Sequence, residues 1–265
     1  MNVKKFFELN NKTAIITGGT GLLGIVYTAA LLSADAEIII LDKKINKKKF
    51  FPNLKNEFKI SDYQLRKLHL IKCDITNEKQ VNQTFKKLDK KLLNLKILIN
   101  NASLVKQVGV DDLGSLYAPF LKMKKKDWES YFSIDLTGTL LISQKSIPYM
   151  QKNGGGSIVN ISSTYGILSP DQRIYKFFND KLSTKMKSKG IKIEKPIGYS
   201  ISKSGILNLT RYLATKFAPY KIRVNTLTLG GVYANNPKEF VKASLKRLLY
   251  KEWQINKNTL GQYYF

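Results

Sequence analysis

Apolar runs alternate with longer amphipathic stretches along the chain, a pattern that predicts repeated βαβ units and a parallel sheet. The apolar runs predict strands at residues 13–17, 37–41, 68–73, 97–99, 157–161 and 222–226. The amphipathic stretches predict helices at residues 22–33, 77–90, 128–150 and 197–217. In the second of these helices, Val81, Phe85 and Leu88 recur at helical spacing.

Two segments interrupt the alternation. Residues 43–67 form a long basic connection, for which we expect a loop and an irregular helix. Residues 165–197 exceed an ordinary turn, and we expect their lysine-rich second half, residues 179–195, to be a mobile surface excursion. Without a repeat or a linker, the pattern predicts one domain over residues 1–265, with an atypical tail at about residues 242–265.

Composition limits the classes of protein that fit. The chain has 265 residues, 43% of them hydrophobic, which suits one large globular domain. No apolar run approaches the ~20 residues that span a bilayer, and the N-terminus lacks a signal-peptide pattern, so we expect a cytoplasmic protein. The single cysteine, Cys73, excludes an intramolecular disulfide and suits a buried structural role. With His69 as the single histidine, no conventional zinc site is expected.

The formal net charge of +26 raises the alternative of a basic nucleic-acid-binding protein. Only five of the 45 basic residues are arginines, whereas phosphate and base recognition favours arginine. The lysines are scattered over most polar segments, which favours a solvated surface and no specific nucleic acid. A positive surface would still steer an anionic small-molecule substrate.

The run Thr17-Gly-Gly-Thr-Gly-Leu-Leu-Gly24 follows a predicted strand and opens a predicted helix, the context of a dinucleotide-binding fingerprint. Gly18 permits a turn closed to other residues, Gly21 lets the backbone approach a pyrophosphate, and Gly24 lets the helix pack on the sheet. The helix N-terminus favours phosphate. The candidate cofactor residues here are Gly18, Thr20, Gly21, Leu22 and Leu23.

Asp42 ends the second predicted strand, about twenty residues after the glycines. A carboxylate at that place accepts a hydrogen bond from a ribose 2′-hydroxyl and repels a 2′-phosphate, which predicts NAD as the cofactor. Lys43 or Lys44 could instead pair with a phosphate, so NADP stays an alternative.

Tyr199 and Lys203 are four residues apart and therefore share one face of the predicted helix at 197–217. A fixed positive charge beside a phenol favours the phenolate and lowers a pKa that starts near ~10. This pair predicts an acid–base tyrosine that works near neutral pH.

Together with Asn100-Asn-Ala-Ser103 and Ile161-Ser-Ser163, these motifs resemble the short-chain dehydrogenase/reductase family over about residues 7–241. The resemblance implies a Rossmann-type, doubly wound parallel sheet in three α/β/α layers. Because the C-terminal region is short, the presence of the family's last strand stays an open question. More narrowly, the chain resembles the branch found in bacterial surface-sugar and sialic-acid-like biosynthesis, such as flagellin-modification oxidoreductases. That likeness is carried by residues 169–175, 195–199, 209–215, 230–233 and 237–240.

The resemblance also implies residue roles. Ser163 would hydrogen-bond the substrate oxygen, Tyr199 would move its proton, and Lys203 would hold both the tyrosine and the cofactor ribose. Asp135 occupies the place of a family asparagine that anchors a water. Because adjacent strand residues point to opposite faces, only one of Ser162 and Ser163 can face the site, and the match of Ser163-Thr-Tyr-Gly166 to the family favours Ser163. The remaining implied cofactor contacts are Asp74, Ile75, Asn101, Ala102, Gly230 and Val232.

Several alternatives stay open at this point. Asp74 could instead cap the helix that follows it, and Asn100 suits a structural role as well as a cofactor contact. Leu229 replaces a family proline, and the chain ends early. We expect an NAD(P)-dependent oxidoreductase for a secondary alcohol or ketone of a sugar or nucleotide-sugar precursor, and a homo-oligomer, dimer or tetramer, if the C-terminus permits. The alternatives are a degenerate cofactor-binding member without turnover and epimerase or dehydratase chemistry on the same fold.

Overall fold

The computed structural model describes residues 8–105, 117–188 and 192–246. Six strands among them form a parallel sheet in the order β3-β2-β1-β4-β5-β6. The strands are β1 Thr13–Thr17, β2 Glu37–Asp42, β3 Leu68–Lys72, β4 Leu95–Asn100, β5 Gly156–Ser163 and β6 Ile222–Leu229. Because the winding direction reverses between β1 and β4, the doubly wound Rossmann-type prediction is confirmed, and ligands are expected at the carboxyl ends of these two strands.

Helices in the described part of the chain alternate with the strands. They are α1 Gly24–Ser33, α2 Lys47–Phe58, α3 Asp62–Leu65, α4 Glu78–Leu88, α5 Lys125–Phe132, α6 Thr139–Lys152, α7 Lys176–Asp180, α8 Thr184–Ser188, α9 Ile197–Phe217 and α10 Lys238–Leu245. None of the helices in these described ranges has the length and apolar character needed to cross a membrane.

The chain divides into two compact units. The first unit comprises Met1–Ser103, Ser133–Ile161 and Ile206–Leu227, and the second comprises Leu104–Phe132, Ser162–Gly205 and Thr228–Phe265. The prediction of one domain over the whole chain stays a prediction.

The first unit contains most of every strand of the sheet and a continuous apolar core. Alternate residues of β2, Ile39 and Leu41, join α4 and α6 in that core, whereas Ile40 lies against the turn before α1. All residues of β1 are buried. Strands buried on both faces explain why the sequence shows continuous apolar runs instead of strict alternation. The parallel register places Thr17 beside both Leu41 and Asn100, so the carboxyl ends of three strands are neighbours.

The second unit has a separate, aromatic core. Phe178 of α7 and Phe240 of α10 lie with their ring centroids 5.3 Å apart, and Tyr175 lies 5.5 Å from Phe240. Tyr117 and Ile174 are buried in the same cluster. Stacked and tilted aromatic pairs of this kind stabilise a small core beyond the apolar area they bury.

Two sequence predictions need amendment. The helix predicted at 128–150 is interrupted by a π-helical turn, Ser133–Gly138, between α5 and α6. Residues 43–67 contain two helices, because Asn46 caps α2 and Ser61 forms a capping box with Gln64 at α3. Within the segment predicted to be mobile, α8 is helical and residues 192–195 are held by side chains; its mobility stays untested. Of the predicted tail, residues 247–265 lie outside the described ranges.

Candidate functional site

The glycine turn between β1 and α1 is shaped by packing within the first unit. Gly18 has a φ of +62°, and a Cβ at this position would lie 2.9 Å from the Cα of Ala102. A Cβ at Gly24 would overlap the carbonyl oxygen of Gly18. At Gly21, by contrast, the described residue nearest to an added Cβ is Gly18, whose carbonyl oxygen lies 3.2 Å away. The protein's own packing therefore requires Gly18 and Gly24, whereas at Gly21 an added Cβ would have one tight contact, with the Gly18 carbonyl oxygen.

The glycine turn leads directly into the N-terminus of α1. Leu23 is the N-cap residue, and among the described residues no side chain caps this helix end. Leu22 beside it is 44% exposed. A helix N-terminus without a side-chain cap offers N–H groups and a partial positive charge to an anion, here a phosphate.

The carboxylate of Asp42 lies against the same turn. One of its oxygens accepts hydrogen bonds from the Thr20 backbone N–H at 3.1 Å and from the Thr20 hydroxyl at 2.6 Å. The other oxygen accepts the Lys44 N–H at 3.1 Å. The two predicted cofactor residues Thr20 and Asp42 are thus in direct contact.

Asp74 follows β3 and forms an ion pair that the sequence did not predict. The Nζ of Lys43 lies 2.7 Å from one carboxylate oxygen, and Thr76 donates its N–H and hydroxyl to the other at 3.0 and 2.7 Å. Burial raises the pKa of Asp74, but the hydrogen bonds from Lys43 and Thr76 outweigh it, so the pKa lies below its usual value. Asn77 is the N-cap of α4, so the capping alternative for Asp74 is wrong.

The end of β4 clamps the glycine turn. The hydroxyl oxygen of Thr17 accepts the N–H groups of Asn101 and Ala102 at 3.0 and 3.1 Å. The amide of Asn101 in turn donates to the carbonyl oxygens of Thr17 and Gly18 at 3.0 and 2.9 Å. These hydrogen bonds hold Asn101 and Ala102 against the glycine turn, where residues that close a cofactor pocket would have to lie.

Asn100 faces the interior of the first unit instead. Its amide donates to Asn160 at 2.8 Å and to Ser143 at 3.2 Å, and Asn160 donates onward to Thr210 at 2.9 Å. This buried chain joins β4 and β5 to α6 and α9, so the structural interpretation of Asn100 is the one that its contacts favour.

Ile75 and Asp135 lie elsewhere in the first unit. Ile75 is buried and packs so closely on Gly138 that a Cβ there would approach its Cδ1 to 2.6 Å. Asp135 lies in the π-helical turn and is 1% exposed. Single π turns within α-helices occur frequently at functional sites, which is a signal that the residue pattern alone did not give.

The second unit separates the roles of two adjacent serines. Ser162, at the end of β5, donates its hydroxyl to the carbonyl oxygen of Lys203 at 2.8 Å and so ties the strand to α9. Ser163 accepts the N–H of Tyr165 at 3.2 Å, a contact that uses an oxygen lone pair and not the hydroxyl proton. Ser162 thus has a structural contact with α9, and the choice of Ser163 as the site serine stays a prediction.

Tyr199 and Lys203 lie on the first turns of α9. The Nζ of Lys203 lies 5.8 Å from the centroid of the Tyr199 ring, and Lys203 is 3% exposed. Tyr131 of α5 packs edge-on against Tyr199 at 6.3 Å, in space that Gly198 leaves, since a Cβ there would approach the Tyr131 ring to 2.7 Å. Gly230 and Val232 follow β6 in the same unit.

The sequence prediction missed Lys195. Its Nζ lies 3.6 Å from the centroid of the Tyr199 ring, closer than the Nζ of Lys203. A lysine four residues before Tyr199 was visible in the sequence. The segment before α9 was expected to be mobile, however, and the side chains that hold Lys195 come from distant residues.

Comparisons of the sequence and of the structure with known proteins point to the same protein family. A sequence profile of short chain dehydrogenases matches residues 12–176. The 3-oxoacyl-(acyl-carrier-protein) reductase of Aquifex aeolicus is 27% identical over 224 residues, 84% of this chain and 75% of that protein. The ribulose-forming D-arabinitol 2-dehydrogenase of Candida tropicalis is 27% identical over 239 residues, 86% and 73% respectively. A crystal structure of a short chain dehydrogenase from Leptospira borgpetersenii with bound NAD+ is 28% identical, with a TM-score of 0.76 over 98% of this chain and 87% of that one.

Proposed function

Because the chain belongs to the short chain dehydrogenase family, we propose that it transfers a hydride between NAD or NADP and a secondary alcohol or ketone. The observation that carries this proposal is the pair on α9, in which the ammonium of a buried lysine, Lys203, lies 5.8 Å from the ring of Tyr199. Lysine is almost never buried to this extent without a specific role for its charge.

The first unit supports the cofactor part of the proposal. At Gly21 the described chain offers an added Cβ one tight contact, the Gly18 carbonyl oxygen at 3.2 Å, and a pyrophosphate approaching the backbone would further favour glycine there. The N–H groups at the start of α1 would hold that pyrophosphate. Thr20 and Asp42 lie where the adenosine ribose would lie, Asp74 and Ile75 would contact the adenine, and Asn101 and Ala102 would close the pocket.

The chemistry then divides between cofactor and chain. The nicotinamide, when bound, supplies or accepts the hydride. During reduction of a ketone the hydroxyl of Tyr199 donates its proton to the substrate oxygen, and during oxidation the phenolate accepts that proton. The ammonium of Lys203 stabilises the phenolate. The hydroxyl of Ser163 donates a hydrogen bond to the same substrate oxygen and so orients it.

We propose NAD as the preferred cofactor. The carboxylate of Asp42 would accept a ribose hydroxyl and would repel the extra phosphate of NADP. Lys43, one candidate partner for that phosphate, is already in an ion pair with Asp74. The Leptospira relative with bound NAD+ supports the same choice.

For the substrate we propose a sugar or nucleotide-sugar precursor, with its reacting group a secondary alcohol. The similarity to a D-arabinitol dehydrogenase supports a polyol or sugar, and the net charge of +26 suits an anionic group on it. The expectations of surface-polysaccharide biosynthesis, a homo-oligomer and a cytoplasmic location stay predictions. A cofactor-binding protein without turnover is the alternative that Asp135 and Leu229 motivate.

The cofactor site is tested by adding a methyl group to one of two neighbouring glycines. Gly21→Ala should lower the melting temperature less than Gly24→Ala does, because its added carbon has one tight contact, the Gly18 carbonyl oxygen at 3.2 Å, and should weaken NADH binding about tenfold or more. Gly24→Ala should instead destabilise the fold, since its Cβ would overlap the Gly18 carbonyl. Calorimetric titration with NADH measures the affinity; unchanged affinity in folded Gly21→Ala would contradict the assignment.

A further inference from the structure

Tyr199 is flanked by a second lysine that the acid–base pair on α9 does not include. The Nζ of Lys195 lies 3.6 Å from the Tyr199 ring centroid, 5.6 Å from that of Tyr165 and 6.0 Å from that of Tyr117. All four residues belong to the second unit. An ammonium within about 6 Å of a ring centroid is attracted to the ring face, so three rings direct Lys195 to this place.

The backbone of Lys195 is fixed by the side chain of a distant residue. The side-chain oxygen of Gln172 accepts the Lys195 N–H at 2.7 Å, and the side-chain nitrogen donates to the Lys195 carbonyl at 3.2 Å. One amide therefore satisfies both backbone groups of Lys195, as a neighbouring β-strand would.

The same arrangement recurs two residues earlier. The side chain of Asn179 accepts the Ile193 N–H at 2.7 Å and donates to the Ile193 carbonyl at 3.0 Å. Between them, the Glu194 N–H donates to the carbonyl of Tyr117 at 3.1 Å. Three consecutive residues are thus bound to three separated parts of the second unit. Such local order in a lysine-rich segment indicates a specific role for a side chain that the segment holds in place, here Lys195.

From this geometry we infer that Lys195 is a positioning residue for the proposed reaction, a second cation that stabilises the phenolate of Tyr199. The inference rests on the proposed function of Tyr199 as proton carrier. A phenolate shares its negative charge with the ring carbons, so an ammonium over the ring face interacts more favourably with the phenolate than with the phenol.

The groups around Tyr199 support this direction. Lys203 approaches from the same helix, Tyr131 from α5, Tyr165 from the turn after β5, and Tyr175 and Tyr117 from the aromatic core of the second unit. Burial, and to a smaller extent interaction with the neighbouring tyrosines, raises the pKa of Tyr175 well above its usual value. Tyr175 is therefore neutral at the pH where Tyr199 would work, and Lys195 and Lys203 are two cations that lie 3.6 and 5.8 Å from the Tyr199 ring centroid.

The inference is tested without a substrate, by following phenolate ultraviolet absorbance during an alkaline titration. Subtracting from each protein's curve that of the same protein carrying Tyr199→Phe isolates Tyr199, which is necessary because Lys195 also lies near the rings of Tyr165 and Tyr117. In Lys195→Met, Tyr199 should deprotonate about 1 pH unit higher than in the wild type, because one of two neighbouring cations is lost. Lys195→Arg should keep the wild-type midpoint. Lys192→Met, an exposed lysine of the same segment, is the matched control and should change nothing.

Gln172→Leu provides a second variant, which leaves the charge in place and removes the clamp on the Lys195 backbone. It should move the midpoint in the same direction by a smaller amount. Unchanged midpoints in folded Lys195→Met and Gln172→Leu would overturn the inference. The proposed function fails by a different observation, namely turnover that survives Tyr199→Phe, so the two failures are distinguishable.

Discussion

Replacing Asp42 by alanine should reverse or remove a preference for NADH over NADPH. The Asp42 carboxylate lies beside the glycine turn, and its oxygens accept three hydrogen bonds from Thr20 and Lys44 at 2.6–3.1 Å. This network fixes the carboxylate in one position before any ligand binds. A ribose hydroxyl would then meet an ordered acceptor.

The magnitude follows from two separate effects. Loss of a charge-assisted hydrogen bond to the ribose costs about 1.5–3 kcal/mol, which lowers NADH affinity about 10- to 100-fold. For NADPH, removal of Asp42 abolishes repulsion of the 2′-phosphate. Two like charges about 4 Å apart near a protein surface repel by at most about 4 kcal/mol, and solvent reduces this, so a gain of about tenfold is expected.

Calorimetric titration of both cofactors into wild type, Asp42→Ala and Asp42→Asn measures these changes. Asp42→Asn keeps an oxygen that can accept the Thr20 N–H, so it separates loss of charge from disorder of the turn. We expect the ratio of NADH to NADPH affinity to fall about 100- to 1000-fold in Asp42→Ala. A wild-type preference for NADPH, or a ratio that is unchanged in Asp42→Ala, would refute the reasoning and indicate that Lys44 or a freed Lys43 dominates.

Two further predictions concern buried ionisable groups. Burial raises the pKa of the Cys73 thiol, so the thiolate is scarce at neutral pH and a thiol reagent should label Cys73 only after unfolding; rapid labelling of the native protein would contradict this. If Asp135 lies near Lys203, Asp135→Asn should strengthen the pull of that ammonium on Tyr199 and move the alkaline rise of the oxidation rate to lower pH, measured as a pH–rate profile. An unchanged profile in a folded variant would remove Asp135 from the catalytic group.

The sheet could be predicted because its strands are rich in β-branched and leucine residues, which are fully buried in β1 and in the middle of β2. The bounds of β1 and α9 were predicted to the residue. In residues 43–67 one irregular helix was expected and a second was not; α2 buries only Phe50 and Leu54, so its apolar periodicity is weak. The π turn between α5 and α6 has no marker in the residue pattern.

The site residues divide in the same way. The glycine turn and the Tyr199–Lys203 pair are local in sequence, so their spacing, together with the order of the other motifs, was enough to predict them as site residues. The ion pair of Lys43 with Asp74 and the clamp of Gln172 on Lys195 join residues that are far apart in the chain. Such contacts depend on tertiary packing, which a sequence pattern does not specify.

The account depends most directly on Tyr199 as the proton carrier of a nicotinamide-dependent reaction. The measurement is the rate of NADH oxidation with a panel of ketones and keto sugars, together with NADH affinity, for the wild type and Tyr199→Phe. The account predicts turnover by the wild type, a rate about 10²-fold or more lower in Tyr199→Phe, and nearly equal NADH affinity in both proteins. A Tyr199→Phe protein that keeps most of the wild-type rate would contradict it.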